Sequence, residues 1–294
     1  MVPRKPRAPV TSHVCMICEC RGSRQWVLGN LDCRCGPLLR GHCLSNLCER
    51  FPVSLSSIRE TLVAIGAVDL EHVEVLADRT RDRDVRVLRD SRSAVVFIDD
   101  HYVGDEEYIS GEYRGPEDPV TLVDVVDRDR RVALLVEHCA GKSVLDFGCG
   151  RGLFLREIRD ACATVQGVEL QESYRAELAA EGIRCVPSLD QVTSPVDTIV
   201  MFHVLEHLPD PLDTLRQCRE RMDPSGLLVV EVPHARDLLL ADMDVEAFRS
   251  FTLWSQHLVL HTRESLRLLL EAAGFRDVTI RGVQRYGLAN HLHW

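Results

Sequence analysis

"VLDFGCGRGLFL", residues 144–155, decides the fold. An apolar run carrying one aspartate, Asp146, leads into glycines at 148, 150 and 152 and then into a second apolar run. That order reads as a buried strand, a tight turn and the start of a helix. Glycine has no Cβ, so such a turn lets the backbone come close to a nucleotide-like ligand. A dinucleotide loop reads G-x-G-x-x-G, whereas the spacing here is G-x-G-x-G, and Leu153 stands where the third dinucleotide glycine belongs. A phosphate-cradling P-loop would close on G-K-[ST], which the stretch lacks. What remains is an aspartate at a strand end and three alternating glycines.

Outward from this loop, strand-like and helix-like segments alternate, which predicts a parallel sheet covered on both faces. A helix over 128–139 precedes the first strand, 143–147. A helix over 153–161, a strand over 164–170, a helix over 172–181 and a strand over 183–187 follow. The fourth strand spans 197–204, and Pro211 opens the next helix, where proline suits the first turn. The fifth strand spans 226–233. After a segment of mixed character, 234–261, comes a helix over 263–273 stopped by Gly274, then a sixth strand over 275–283. Upstream, a helix is expected near 54–66, with a hairpin, "DVRVLRD" and "AVVFIDDHYV", turning at "SRS". The acidic, aromatic stretch 104–119 reads as a surface connector. Three regions result: a Cys-rich head (1–50), a small α+β hairpin region with its connector (51–120), and the alternating domain (121–294).

The 294 residues are 45% hydrophobic, enough for one substantial core and a smaller appended unit. The formal charge of -10 argues against nucleic acid or an anionic membrane surface as partner. No apolar run is long enough to span a bilayer. The basic opening "MVPRKPRAPVTSH" has no apolar stretch behind it, so a secretory signal is not expected. These features favour a cytoplasmic protein that acts on a small molecule, and a homodimer is compatible with them.

The pattern "DFGCGRG" resembles the first motif of class I S-adenosylmethionine-dependent methyltransferases. The resemblance implies a doubly wound, mostly parallel, seven-stranded Rossmann-like sheet with a donor site at Asp146, Gly148, Gly150 and Gly152. The donor carries an ammonium and a sulfonium, which suit a carboxylate beside bare backbone. Glu169, ending the second strand with Leu170 beside it, would accept the ribose hydroxyls, the geometry also used in dinucleotide folds. "MFHVLEHLPDP", 201–211, matches the strand-four motif of small-molecule members of the family, with His203 against the donor. The N/D-P-P-Y/F tetrapeptide of enzymes that methylate exocyclic amines is missing, which moves the acceptor toward hydroxyl, carbon or small amine groups. "FRSFTLWSQHLVLHTRESLRLLLEAAGF" is similar to bacterial methyltransferases linked with sugar and cell-surface pathways. The implied acceptor is a sugar, nucleotide sugar or secondary metabolite, methylated on oxygen or carbon. The family's sheet ends in an antiparallel hairpin of strands six and seven. Only "YGLANHLHW" follows strand six, so the seventh strand is short or the chain is cut near its natural end.

Methylating a hydroxyl requires removal of a proton, and His207 is the first candidate base, with His257 and His203 behind it. Helix capping by His207 and a backbone-held, buried His257 are the plainer alternatives. His234, just past strand five, is a weaker candidate. Phe248, Phe251 and Trp254 read equally as a lid over the acceptor or as core.

Seven of the twelve cysteines fall between residues 15 and 48. Cys15 and Cys18 form a C-x2-C pair and Cys33 and Cys35 a C-x-C pair, spacings that suit tetrahedral Zn2+. Only half of the usual paired C-x-x-C pattern is present, so a metal-free or disordered head stays open. Two other functions compete with methyl transfer. A nicotinamide-dependent oxidoreductase would need the third glycine and a Tyr-x-x-x-Lys pair. A non-catalytic, zinc-containing interaction protein would use the fold as a scaffold.

Overall fold

The computed structural model describes the chain path of residues 14–22, together with residues 58–285 except 100, 101, 103, 111–114, 116 and 194. In chain order the elements are β1 (Val14–Gly22), α1 (Ile58–Ala64), β2 (Val73–Ala77), β3 (Val87–Asp90), β4 (Val96–Ile98), α2 (Glu106–Ile109) and α3 (Leu122–Cys139). Next come β5 (Ser143–Phe147), α4 (Leu153–Ile158), β6 (Thr164–Val168), α5 (Glu172–Ala180), β7 (Arg184–Val186) and β8 (Val196–Phe202). The remainder is α6 (Pro211–Arg221), β9 (Met222–Pro233), α7 (Glu246–Thr252), β10 (Val259–Leu260), α8 (Arg263–Ala272) and β11 (Phe275–Gln284).

The main sheet has seven strands in the order β11-β1-β9-β8-β5-β6-β7. Five of them, β9 to β7, pair in parallel, and strand order reverses where β5 lies between β6 and β8. Alternate residues along the buried strands feed two cores, as the pleat requires. Leu145, Ile199, Met201, Leu228 and Val230 meet α6 and α8 on one face. Val144, Val200 and Val229 meet Leu135 of α3 and Phe154 and Ile158 of α4 on the other. Each fully buried side chain of this kind contributes about 1.5–3 kcal/mol. Helix starts follow local chemistry. Thr121 and Asp124 form a reciprocal capping box for α3, and Asp210 accepts the Asp213 N–H at 3.0 Å just before Pro211.

Two expectations are corrected. The parallel part of the sheet has five strands, and the slot between β9 and β11 is filled by β1, antiparallel to both, from the head of the chain. The seventh strand of this sheet is residues 14–22, and 286–294, where a short seventh strand was expected, lie outside the described residues. The second sheet draws its strands from both sides of residue 120. β10 joins β4, β3 and β2 in a second, four-stranded sheet, in which Val259 pairs with Phe97. The helix before the first strand, expected over 128–139, starts earlier, at Leu122.

Candidate donor and acceptor site

The carboxyl ends of β5, β6 and β8 open onto one cavity of about 870 Å3. Ligands bind at this edge of open α/β sheets, where strand order reverses. Gly148, Gly150 and Gly152 all take left-handed backbone, with φ of 73°, 52° and 65°. A Cβ on Gly148 would stand 2.5 Å from Val204 Cγ2, so glycine lets the loops after β5 and β8 meet at the reversal. At Gly150 a Cβ would meet nothing within 4 Å, which leaves bare backbone on the cavity.

Two predicted carboxylates flank this backbone. Glu169 follows β6 directly; one carboxylate oxygen accepts the Gly150 N–H at 2.8 Å and the other accepts the Gln171 N–H at 2.9 Å. Glu169 thereby ties the glycine loop to the start of α5 and keeps further lone pairs for a ligand. Asp146 is almost completely buried at the end of β5, and burial pushes its carboxyl up to about 7. The Arg131 charge opposes that rise and the Glu169 charge adds to it. Leu170 lines the same cavity.

His203 follows β8 with φ 57°, a conformation uncommon outside glycine. Its Nδ1 lies 3.1 Å from a Glu206 oxygen and its Nε2 lies 3.2 Å from Glu231 Oε1. Both nitrogens of His203 thus face carboxylates, which can only accept hydrogen bonds when ionised. Glu231, fully buried on β9, also binds Arg130 at 2.7 Å and Arg131 at 3.0 Å. Burial would raise its carboxyl, but Arg131 and His203 hold it well below the usual range. Arg131 also stacks 4.4 Å from the Phe202 ring centre.

His207 and His257 form the far wall. His207 Nδ1–H donates to the Gln256 carbonyl at 2.7 Å, and His257 Nδ1–H to the Thr252 carbonyl at 2.9 Å. The two rings lie 5.1 Å apart, with the Trp254 ring 5.6 Å and the Tyr108 ring 6.0 Å from His207. Burial pushes His207 down and takes His257 to about 3, so both imidazoles are neutral at pH 7. Burial works to raise Glu206, but the His203 hydrogen bond and the neighbouring histidines hold it down at about 2.

The remaining candidates divide. Phe248 is fully buried against Val87, Ile98 and Leu260, so it is core, whereas Phe251 and Trp254 line the cavity with Arg81 stacked on both rings. His234 bridges to His261 behind β9, outside the cavity lining. Cys15 and Cys18 lie on extended β1 backbone and not on a knuckle, which does not support the expected zinc centre. Cys33 and Cys35 lie outside the described residues. Among the described residues, Tyr102 from the end of the expected hairpin and Tyr108 from the supposed surface connector line the cavity, as does Arg131. Sequence reasoning missed all three, together with Glu231; the Arg130–Arg131 pair on one helix facing a lone glutamate in a buried strand was the available signal.

Fold and site together define an α/β protein with one cavity at the carboxyl edge of its parallel strands, whose second wall carries histidines and aromatic rings. A profile of the methyltransferase domain family matches residues 126–280, just over half the chain, and the chain belongs to that family. It is 30% identical over 160 residues to a Mycolicibacterium smegmatis protein bearing the name "Probable S-adenosylmethionine-dependent methyltransferase", with 51% of this chain and 58% of that one covered. It is 31% identical over 109 residues to the ubiquinone biosynthesis O-methyltransferase of Pseudomonas putida, with 33% and 45% covered. The chain thus spans about half the length of these curated relatives. Among solved structures, magnesium protoporphyrin IX methyltransferase from Synechocystis, with S-adenosylhomocysteine bound, aligns over 58% of this chain and 86% of its own. That alignment has 20% identity and a TM-score of 0.43. Among the described residues, no helix is long and apolar enough to cross a membrane.

Proposed function

We propose that the protein transfers a methyl group from S-adenosylmethionine to an oxygen of a small molecule seated against Glu206, His207 and His257. The observation that carries this reading is one cavity with two unlike walls. One is bare Gly150 backbone between Asp146 and Glu169, and the other holds three hydrogen-bond acceptors among aromatic rings. The donor-side residues fit the donor. Asp146 offers negative charge to a cationic amino-acid end, and the Glu169 carboxylate offers acceptors to ribose hydroxyls. Gly150 leaves room that any Cβ would reduce. When bound, the donor supplies a methyl group activated by its sulfonium.

The rest is the work of this chain. His203, cradled by Glu206 and Glu231, fixes the loop after β8. Trp254, Phe251 and Tyr108 exclude water, and holding the acceptor near the methyl carbon in line is worth up to about 7–11 kcal/mol in well-oriented systems. An oxygen acceptor is favoured because Glu206, His207 and His257 all present lone pairs, which a hydroxyl can use and a carbon cannot. A sugar or another polyhydroxylated metabolite fits this wall, and the negative formal charge of -10 agrees with a ligand other than nucleic acid.

The test is calorimetric titration of Glu169→Ala with S-adenosylhomocysteine. Losing hydrogen bonds to a charged group, at about 1.5–3 kcal/mol each, should weaken binding by about 10²–10³-fold relative to the unmodified chain. Equal affinity in the two proteins would remove Glu169 from the donor site.

A further inference from the structure

Glu206, His207 and His257 share a geometry that a proton acceptor alone does not require. Each imidazole spends its Nδ1–H on a main-chain carbonyl, Gln256 for His207 and Thr252 for His257. This fixes both rings in one tautomer, with the lone pair on Nε2. Metal-bound histidines are oriented in the same way, by donating the other ring N–H to a carbonyl or carboxylate. One ligand atom from each imidazole and one from Glu206 all lie within 4.8 Å of one another. Glu206 is 1% exposed, and its Oε2 accepts no hydrogen bond from any described residue. A buried carboxylate oxygen in that condition is costly unless a cation or donor meets it.

We propose that Glu206, His207 and His257 bind a divalent first-row transition-metal ion, and that this ion holds the acceptor oxygen for methylation. The second half rests on the methyl-transfer reading above; the first half does not. Two imidazoles and one carboxylate suit ions such as Mn2+, Fe2+ or Co2+ better than Mg2+ or Ca2+, which favour all-oxygen shells. Ligand atoms about 2.1 Å from a common ion lie roughly 3–4 Å apart, so side-chain adjustment of order 1 Å closes the set. His203 orients this carboxylate, since its Nδ1 lies 3.1 Å from Glu206 Oε1, the oxygen that stands 3.9 Å from His207 Nε2.

Three protein ligands leave coordination positions open. The substrate class that fills them best carries two adjacent oxygens, as in a vicinal diol, a catechol or an α-hydroxy carbonyl. A bound divalent ion lowers the pKa of a coordinated hydroxyl by several units. The hydroxyl proton leaves to solvent, the oxygen lone pair forms the new O–CH3 bond, and the breaking S–CH3 pair stays on sulfur. The products are a methyl ether and a neutral thioether, and nothing is oxidised or reduced.

The experiment uses the full chain freed of metal by a chelator, then titrated with Mn2+ by calorimetry and electron paramagnetic resonance, and with Co2+ by visible absorption. The expected result is one strongly bound Mn2+ per chain and a cobalt spectrum without thiolate charge transfer, which separates this site from the cysteine-rich head. His207→Ala, His257→Ala and Glu206→Gln should each bind Mn2+ at least about 10–100-fold more weakly, a loss seen even for outer partners of metal ligands. His257→Gln, whose amide can still donate to the Thr252 carbonyl, should show the same loss in a folded protein. S-adenosylhomocysteine titration of each variant reports that the donor side remains intact. No Mn2+ binding by the unmodified chain, undiminished binding in the folded variants, or a thiolate spectrum alone would overturn the proposal. Metal binding without S-adenosylhomocysteine binding would leave the ion site standing and remove the methyl-transfer reading; the converse would do the opposite.

Discussion

Replacing Glu231 by glutamine should be among the most damaging isosteric changes in this protein. The carboxylate is fully buried and meets two guanidinium groups and one imidazole: Arg130 at 2.7 Å, Arg131 at 3.0 and 3.2 Å, and His203 at 3.2 Å. An amide keeps the shape and one acceptor but turns an NH2 donor toward groups that only donate. Removing one partner of a buried ion pair costs about 3–5 kcal/mol, mostly from the charge left behind. Arg130 and Arg131 are 22% and 15% exposed, so water screens part of that charge, which favours the low end, near 3 kcal/mol. At about 2–4 °C per kcal/mol for a chain of this size, Tm should fall by roughly 6–12 °C. Urea unfolding at pH 7 measures the loss directly. The pH dependence adds a second check. Glu231 is depressed in the fold, so its stabilisation is present above the unfolded carboxylate pKa and is lost as pH falls through the folded value. The gap between Glu231→Gln and the unmodified chain should therefore shrink below about pH 4. A gap under about 1 kcal/mol at pH 7, or one that persists unchanged in acid, would refute the reasoning.

Asp146 should show the opposite sign. Its carboxyl is raised to about 7, so the fold is most stable below the unfolded carboxylate pKa and loses that stability as pH rises through 7. Asp146→Asn should then stabilise the protein at pH 8 by as much as about 4 kcal/mol, with no gain near pH 3, while weakening S-adenosylmethionine binding. Differential scanning calorimetry at the two pH values, paired with ligand titration, checks both parts. Gly152→Ala combines left-handed backbone with a Cβ 2.5 Å from Leu178 Cδ2, and should cost about 2–4 kcal/mol in denaturant unfolding.

The loop and the strands around it were legible because their chemistry is local. Three glycines after an aspartate, a glutamate at the next strand end and period-two apolar runs place Asp146, Gly150 and Glu169 without knowledge of any distant contact. What was not legible depends on remote pairing. Residues 14–22 read as part of a cysteine cluster, yet they fill a sheet position against β9 and β11, more than 200 residues further along the chain. Tyr108 sits in an acidic stretch that resembles a solvent-exposed connector, and only the approach of His207 gives it a wall to belong to. The surroundings of His203 were only half legible for a related reason. Its position after β8 was plain, but the second carboxylate that occupies it, Glu231, comes from the neighbouring strand.

A crystal structure with S-adenosylhomocysteine tests the central claim most directly. The account predicts ribose hydroxyls on Glu169, the amino-acid end near Asp146 and Gly150, and the sulfur facing the open side of Glu206, His207 and His257. A ligand bound elsewhere, or a Gly148–Gly152 loop closed against it, would contradict the account.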